Sequence, residues 1–130
     1  MTPDLYYLAL TALLTALLWV AHVIAIVRTY GFYGPKEYTE AKVLDLPSWG
    51  QRCMRAHQNA VEQFAPFAAL VLVAHLTGST GETTALAAAS YFWLRVAYTI
   101  VFWLGVPYLR TLLFVLSVLA ILVIGWEVVS

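Results

Sequence analysis

Four long apolar runs, separated by short polar stretches, organise this chain. The first, residues 5–27, reads LYYLALTALLTALLWVAHVIAIV, and the others cover residues 53–76, 84–104 and 108–128. A helix needs roughly 20 apolar residues to cross about 30 Å of hydrocarbon, so each run predicts one membrane-spanning helix. The stretches between them carry turn residues. Residues 29–50 (TYGFYGPKEYTEAKVLDLPSWG) hold Gly31, Gly34, Pro35, Pro47 and Gly50, which punctuate a polar loop. LTGSTGET at 76–83 is a short polar turn, and GVP at 105–107 is a tight connection. Pro66 falls inside the second run, where it removes a backbone donor and crowds the preceding turn, so a kink is expected there. The pattern predicts an all-α integral membrane fold: a four-transmembrane-helix bundle, one domain over residues 1–130.

Composition supports that class. Of the 130 residues, 62% are hydrophobic and 11% charged, where a soluble domain carries about 45–50% and about 25%. The net charge is zero, and no nucleic-acid-binding module is visible. The start, MTPDLYY, lacks a basic n-region, and the run after it is too long for a signal-peptide core, so the first span reads as retained. Cys53 is the single cysteine. It has no intrachain disulfide partner and reads as a small buried apolar residue.

The basic residues fix an orientation. Arg28, Lys36, Lys42, Arg52 and Arg55 lie in or beside the first loop, and Arg95 and Arg110 flank the GVP connection; these are all seven Lys and Arg. With four spans, the first loop and the 105–107 connection share one side. The positive-inside rule puts that side in the cytoplasm and both termini outside.

The chemistry concentrates in RCMRAHQNAVEQFAPF, residues 52–67. Arg52, Arg55, Asn59 and Glu62 are spaced 3, 4 and 3, one face of a helix. An ionisable residue this deep in a span is expected to turn into the bundle, find a partner and mark a site. The bland alternative is a polar cluster that holds helices together by hydrogen bonds. The third span has a matching stripe, Tyr91, Arg95, Tyr98 and Phe102, spaced 4, 3 and 4. Arg95 either stays deep or snorkels toward the near end of its helix. Arg28 closes the first span and Arg110 opens the fourth. Several arginines with one deep carboxylate suit a small anionic ligand that also carries an ammonium group, because Arg offers forked donors to carboxylates. None of His22, His57 and His75 stands at metal-ligand spacing with a cysteine or carboxylate. His22 reads as a hydrogen-bonded core residue, and the five tryptophans as interface anchors and packing.

At these residues the chain resembles the MAPEG family, the membrane-associated proteins of eicosanoid and glutathione metabolism. RCMRAHQNAVEQFAPF is similar to that family's R–x–x–x–N–x–x–E pattern followed by proline. LRVAYTIVFWLGVPYLRT, with Arg95, Tyr98 and Arg110, is similar to its third-to-fourth-helix region, and TALLTALLWV resembles short bacterial members. The resemblance implies a homotrimer of four-helix protomers, with glutathione bound as co-substrate between neighbours in the cytoplasmic half. It implies that Arg55, Asn59 and Glu62 contact glutathione, with Arg52 as an added basic contact. It makes Arg95 and Tyr98 third-helix site residues, Arg110 the residue that stabilises the glutathione thiolate, and Arg28, less closely matched, a basic position ending the first helix. One residue departs from the pattern: Phe102 stands near where many members carry tyrosine.

Two functional readings follow. The first is a membrane-bound glutathione-dependent transferase or peroxidase acting on a lipophilic small molecule that arrives through the lipid. The second is a non-catalytic accessory subunit of a larger membrane complex, with the polar stripe as helix glue and Phe102 as the feature that leans that way. A transporter or proton path through Glu62 and His22 lacks the paired broken helices that mark many transporters.

Overall fold

Thr2 starts the first helix. Its hydroxyl accepts the Leu5 N–H at 3.4 Å, Pro3 takes the first helical position and Asp4 sits in the first turn. These are the residue types that suit a helix N-terminus. In this computed structural model, which describes residues 1–31 and 45–130, helix α1 runs Pro3–Tyr30, α2 Ser48–Leu76, α3 Glu82–Leu104 and α4 Pro107–Val129. All four are long and apolar enough to cross a membrane, so the chain is an integral, multi-pass membrane protein. Lys36, Lys42, Gly34 and Pro35 lie outside the described residues.

The helices match the four apolar runs and extend beyond them. The largest extension is α2, which begins at Ser48 rather than at residue 53. Its first turns are polar (Ser48, Gln51, Arg52), so apolarity alone under-reads them. Pro66 lies inside α2, and the helix continues past it to Leu76. Several hydroxyls inside the spans are satisfied within their own helices: Thr11 donates to the Tyr7 carbonyl at 2.7 Å, Thr99 to Arg95 at 2.9 Å and Ser117 to Leu113 at 2.7 Å. Back-bonding of this kind answers the demand that lipid places on polar groups.

The turn between α3 and α4 is closed by backbone. Gly105 adopts φ +78°, its N–H donates to the Phe102 carbonyl at 3.0 Å, and the Val106 N–H donates to Val101 at 3.2 Å. This is a Schellman cap, and Pro107 then opens α4. A Cβ added at Gly105 meets nothing closer than the Arg52 guanidino group at 3.8 Å, so the penalty of a side chain there is conformational. Gly105→Ala is expected to cost about 1 kcal/mol through the left-handed backbone alone, read as a lower midpoint of thermal unfolding in detergent. An unchanged midpoint would show that the turn tolerates Cβ.

Around the bundle the order is α1, α2, α4, α3: α1 packs on α2 and α3, α4 packs on α3 and α2, and α2 and α3 also meet across the centre. Among the described residues α1 and α4 form no contact. The core joins Phe67 and Val71 of α2, Ala87, Ala88 and Tyr91 of α3, and Ala120, Ile121 and Ile124 of α4. Phe67 and Tyr91 stack with ring centroids 4.0 Å apart. Small residues let the backbones approach: Ala25, Ala56, Ala74 and Ala88 are fully buried, and a Cβ at Gly50 would come within 3.1 Å of Ala25.

The outer faces differ in kind. On α4 the exposed residues include Leu112, Val115, Leu119 and Leu122, a surface suited to lipid. On α2 the exposed stripe is Arg55, Gln58, Glu62, Ala65, Ala69, Leu72 and Leu76, at helical spacing. Glu62 was expected to turn into the bundle; within the four-helix bundle of this chain it points out. The physical reason is register, because α2 gives its inner face to Ala56, Ala60, Gln63 and Phe67.

Candidate functional site

The 105–107 turn brings the start of α4 against the start of α2. Between them lies an open cavity of about 310 Å³, lined by Ser48, Gln51, Arg52 and Arg55 of α2, by Phe102 and Gly105, and by Val106, Pro107 and Arg110. It is of the size of small-molecule pockets. Among the described residues three guanidinium groups border it and no carboxylate does, so it is a site for negative charge.

Each arginine is held differently. The Arg52 Nε donates to the Trp103 carbonyl at 3.1 Å, where the last carbonyls of α3 lack helical partners and a cation is favoured. That bond ties α2 to the α3–α4 turn, and among the described residues neither Nη group of Arg52 has a hydrogen-bond partner. Arg55 stands one turn further along α2 and is exposed. Arg110 is half-buried in the first turn of α4, its Cζ 5.2 Å from the centre of the Phe102 ring, a cation–π contact.

Arg110 also borders a second recess. This one, about 130 Å³, is lined by Tyr98, Arg110, Thr111 and Phe114. Thr111 and Phe114 are exposed on the outer side of α4, so one guanidinium sits between a cationic cavity and a largely apolar opening.

The third-helix stripe shares one face of α3, as its spacing predicted, and that face is buried: Tyr91, Arg95, Tyr98 and Phe102 are all at most 7% exposed. Arg95 stays deep rather than snorkelling. Its Nη1 donates to Gln63 Oε1 at 3.1 Å, and its Cζ lies 4.1 Å over the Tyr98 ring. Its Nη2 is buried with no hydrogen-bond partner. Tyr98 and Phe102 meet at 5.6 Å. Gln63 is the residue that sequence reasoning missed. Its signal is position, four residues beyond Asn59 and on the inner side of Glu62.

Of the sequence-derived site residues, the fold brings Arg52, Arg55 and Arg110 to one cavity and Tyr98 to the adjoining recess. Arg95 lies behind them and lines neither. Asn59 is half-buried, with its Oδ1 buried and unpartnered. Glu62 is on the outer stripe of α2. Arg28 is exposed in the last turn of α1 and does not line the cavity. Cys53 is free and buried. His22 does not form its expected hydrogen bond: its Nε2 is buried without a partner, and its ring lies 5.8 Å from His57.

In comparisons with known proteins, the sequence model of the MAPEG family matches residues 5–130. No curated protein and no solved structure matches.

Proposed function

The chain belongs to the MAPEG family, and on that premise we propose that it is a membrane-bound, glutathione-dependent transferase or peroxidase for lipophilic electrophiles. The observation that carries this reading is the placement of Arg110 between the cationic cavity and the recess on the outer side of α4.

Glutathione brings two carboxylates, one ammonium and one thiol. Arg52 and Arg55 offer forked donors to the carboxylates. Arg110 stabilises the thiolate: a free thiol has a pKa of about 8.5, and lowering it by roughly 1.5 units takes about 2 kcal/mol. The lipophilic partner enters beside Thr111 and Phe114. In conjugation the sulfur forms a bond to the electrophilic carbon as the leaving group departs with its electron pair. With a hydroperoxide, the sulfur takes the distal oxygen, the O–O bond breaks and the alkoxide collects a proton. A second glutathione then attacks the sulfenic acid, giving the disulfide and water.

The outer stripe of α2 supports a shared site. Arg55, Gln58 and Glu62 are poor lipid-facing residues, and they suit contact with another copy of the chain. In this reading the protein is a homotrimer whose neighbours meet along α2. Asn59, Glu62 and Arg28 complete the glutathione site across the interface, with Glu62 receiving the ammonium. The basic end of the bundle lies on the cytoplasmic side.

The test is a thermal-shift titration of the detergent-purified protein with reduced glutathione. A ligand that binds only the folded state raises its stability with the logarithm of its excess over Kd. Saturable stabilisation is expected, and its loss in both Glu62→Gln and Arg55→Ala. No shift at millimolar glutathione would overturn the reading and turn the search to protein partners.

A further inference from the structure

Arg95 is 2% exposed inside a membrane bundle, where an uncompensated charge is costly. Its titratable neighbours are two tyrosines, Tyr91 and Tyr98. Its side-chain hydrogen-bond acceptor is neutral: Gln63 Oε1, on a residue 9% exposed. The bond fixes one edge of the guanidinium, and its Cζ lies over the Tyr98 ring, 4.1 Å from the centroid.

From there the contacts run to the site without a break. Tyr98 leans on Phe102 at 5.6 Å with the rings tilted by 43°, and Phe102 carries Arg110 at 5.2 Å. The series Gln63, Arg95, Tyr98, Phe102, Arg110 crosses from α2 through α3 to α4. Its last members line the two pockets; its first two line neither.

We propose that Gln63 is a positioning residue of the candidate site: it holds Arg95 over Tyr98, and through Tyr98 and Phe102 it sets where the Arg110 guanidinium stands. The proposal rests on the glutathione reading for what Arg110 acts upon. Without Gln63 Oε1, both Nη groups of Arg95 lack acceptors. A buried acceptor without a partner stands nearby on α2: Asn59 Oδ1, about one turn earlier. A guanidinium that turns toward it leaves the Tyr98 face, and the two rings no longer brace Arg110.

The experiment reads the thiolate itself. The ultraviolet thiolate absorbance of glutathione at saturating concentration is titrated against pH on the full-length wild-type protein, on Gln63→Leu and on Gln63→Asn. Asparagine is one methylene too short to reach Arg95 yet keeps a polar group in the bundle, so it guards against a leucine variant that fails to fold. In the wild type the midpoint lies below that of free glutathione. In both variants it moves back up by about one unit, a tenfold loss of thiolate preference. Lost folded protein shrinks the signal but leaves the midpoint in place, so a purely structural role of Gln63 predicts no movement. A lowered wild-type midpoint that stays unmoved in the variants would overturn the role of Gln63 and leave the glutathione reading standing. A wild-type protein with no protein-dependent thiolate signal would overturn both.

Discussion

Arg110→Ala is expected to lower turnover of a model electrophile by about 10²–10³-fold, the range found when one charge-stabilising group is removed from a preorganised site. The thiolate preference accounts for about 2 kcal/mol of this, and the rest comes from charge held in place as the carbon–sulfur bond forms. The fold is expected to survive. Arg110 is half-buried and packs on Phe102, while the α3–α4 turn is held by its own backbone bonds and by Arg52 on the Trp103 carbonyl. The KM for glutathione should change far less than kcat, because Arg52 and Arg55 still face the carboxylates. Arg110→Lys keeps the charge but not the planar fork, and should recover part of the loss. Steady-state kinetics with a thermal-unfolding control decides it: unchanged turnover in a folded Arg110→Ala protein would remove Arg110 from the chemistry.

The position of Arg110 at the start of the fourth helix was legible in the sequence, but its role came only from the family resemblance, since an arginine beside a tight turn can also snorkel. The four spans were legible because 62% apolar residues arranged in four runs leave few soluble alternatives. The buried stripe of α3 was also legible, as its 4, 3, 4 spacing survives any choice of neighbours. What failed were statements that depend on which face meets which helix. Glu62 and Gln63 are adjacent polar residues, and the cost of a charge deep in a span picked Glu62 as the inward one. The structure gives the interior to Gln63, because the inner face of α2 follows Ala56, Ala60 and Phe67. The cavity itself was hidden because part of its wall, Ser48, Gln51 and Arg52, belongs to helical turns outside the apolar run. Phe102, singled out as a missing hydroxyl, has a place without one: its ring is the surface on which Arg110 rests. That contact weakens the case for Phe102 as a mark of lost activity.

The second large effect is expected at the opposite face of α2. Glu62 lies about 21 Å along α2 by the helical rise, and a charged side chain at mid-membrane costs about 2.5–3.5 kcal/mol on insertion scales. The stripe that carries it continues through Ala65 and Ala69, both exposed and four residues apart, a spacing of small side chains that lets helices approach closely. Ala69→Phe places a ring where a neighbouring α2 would pack, and is expected to convert the proposed trimer largely to monomer. Because Arg55, Asn59 and Glu62 would lose the partner that completes the site, stabilisation by glutathione should vanish with the trimer. Leu119→Phe is the matched control: it adds the same ring to the exposed apolar face of α4 and should change neither property. Chemical cross-linking and light scattering in detergent give the mass, and the thermal-shift titration gives the binding. If Ala69→Phe keeps the wild-type mass and response, α2 is not the interface, and its polar face must be covered by something other than a copy of this chain.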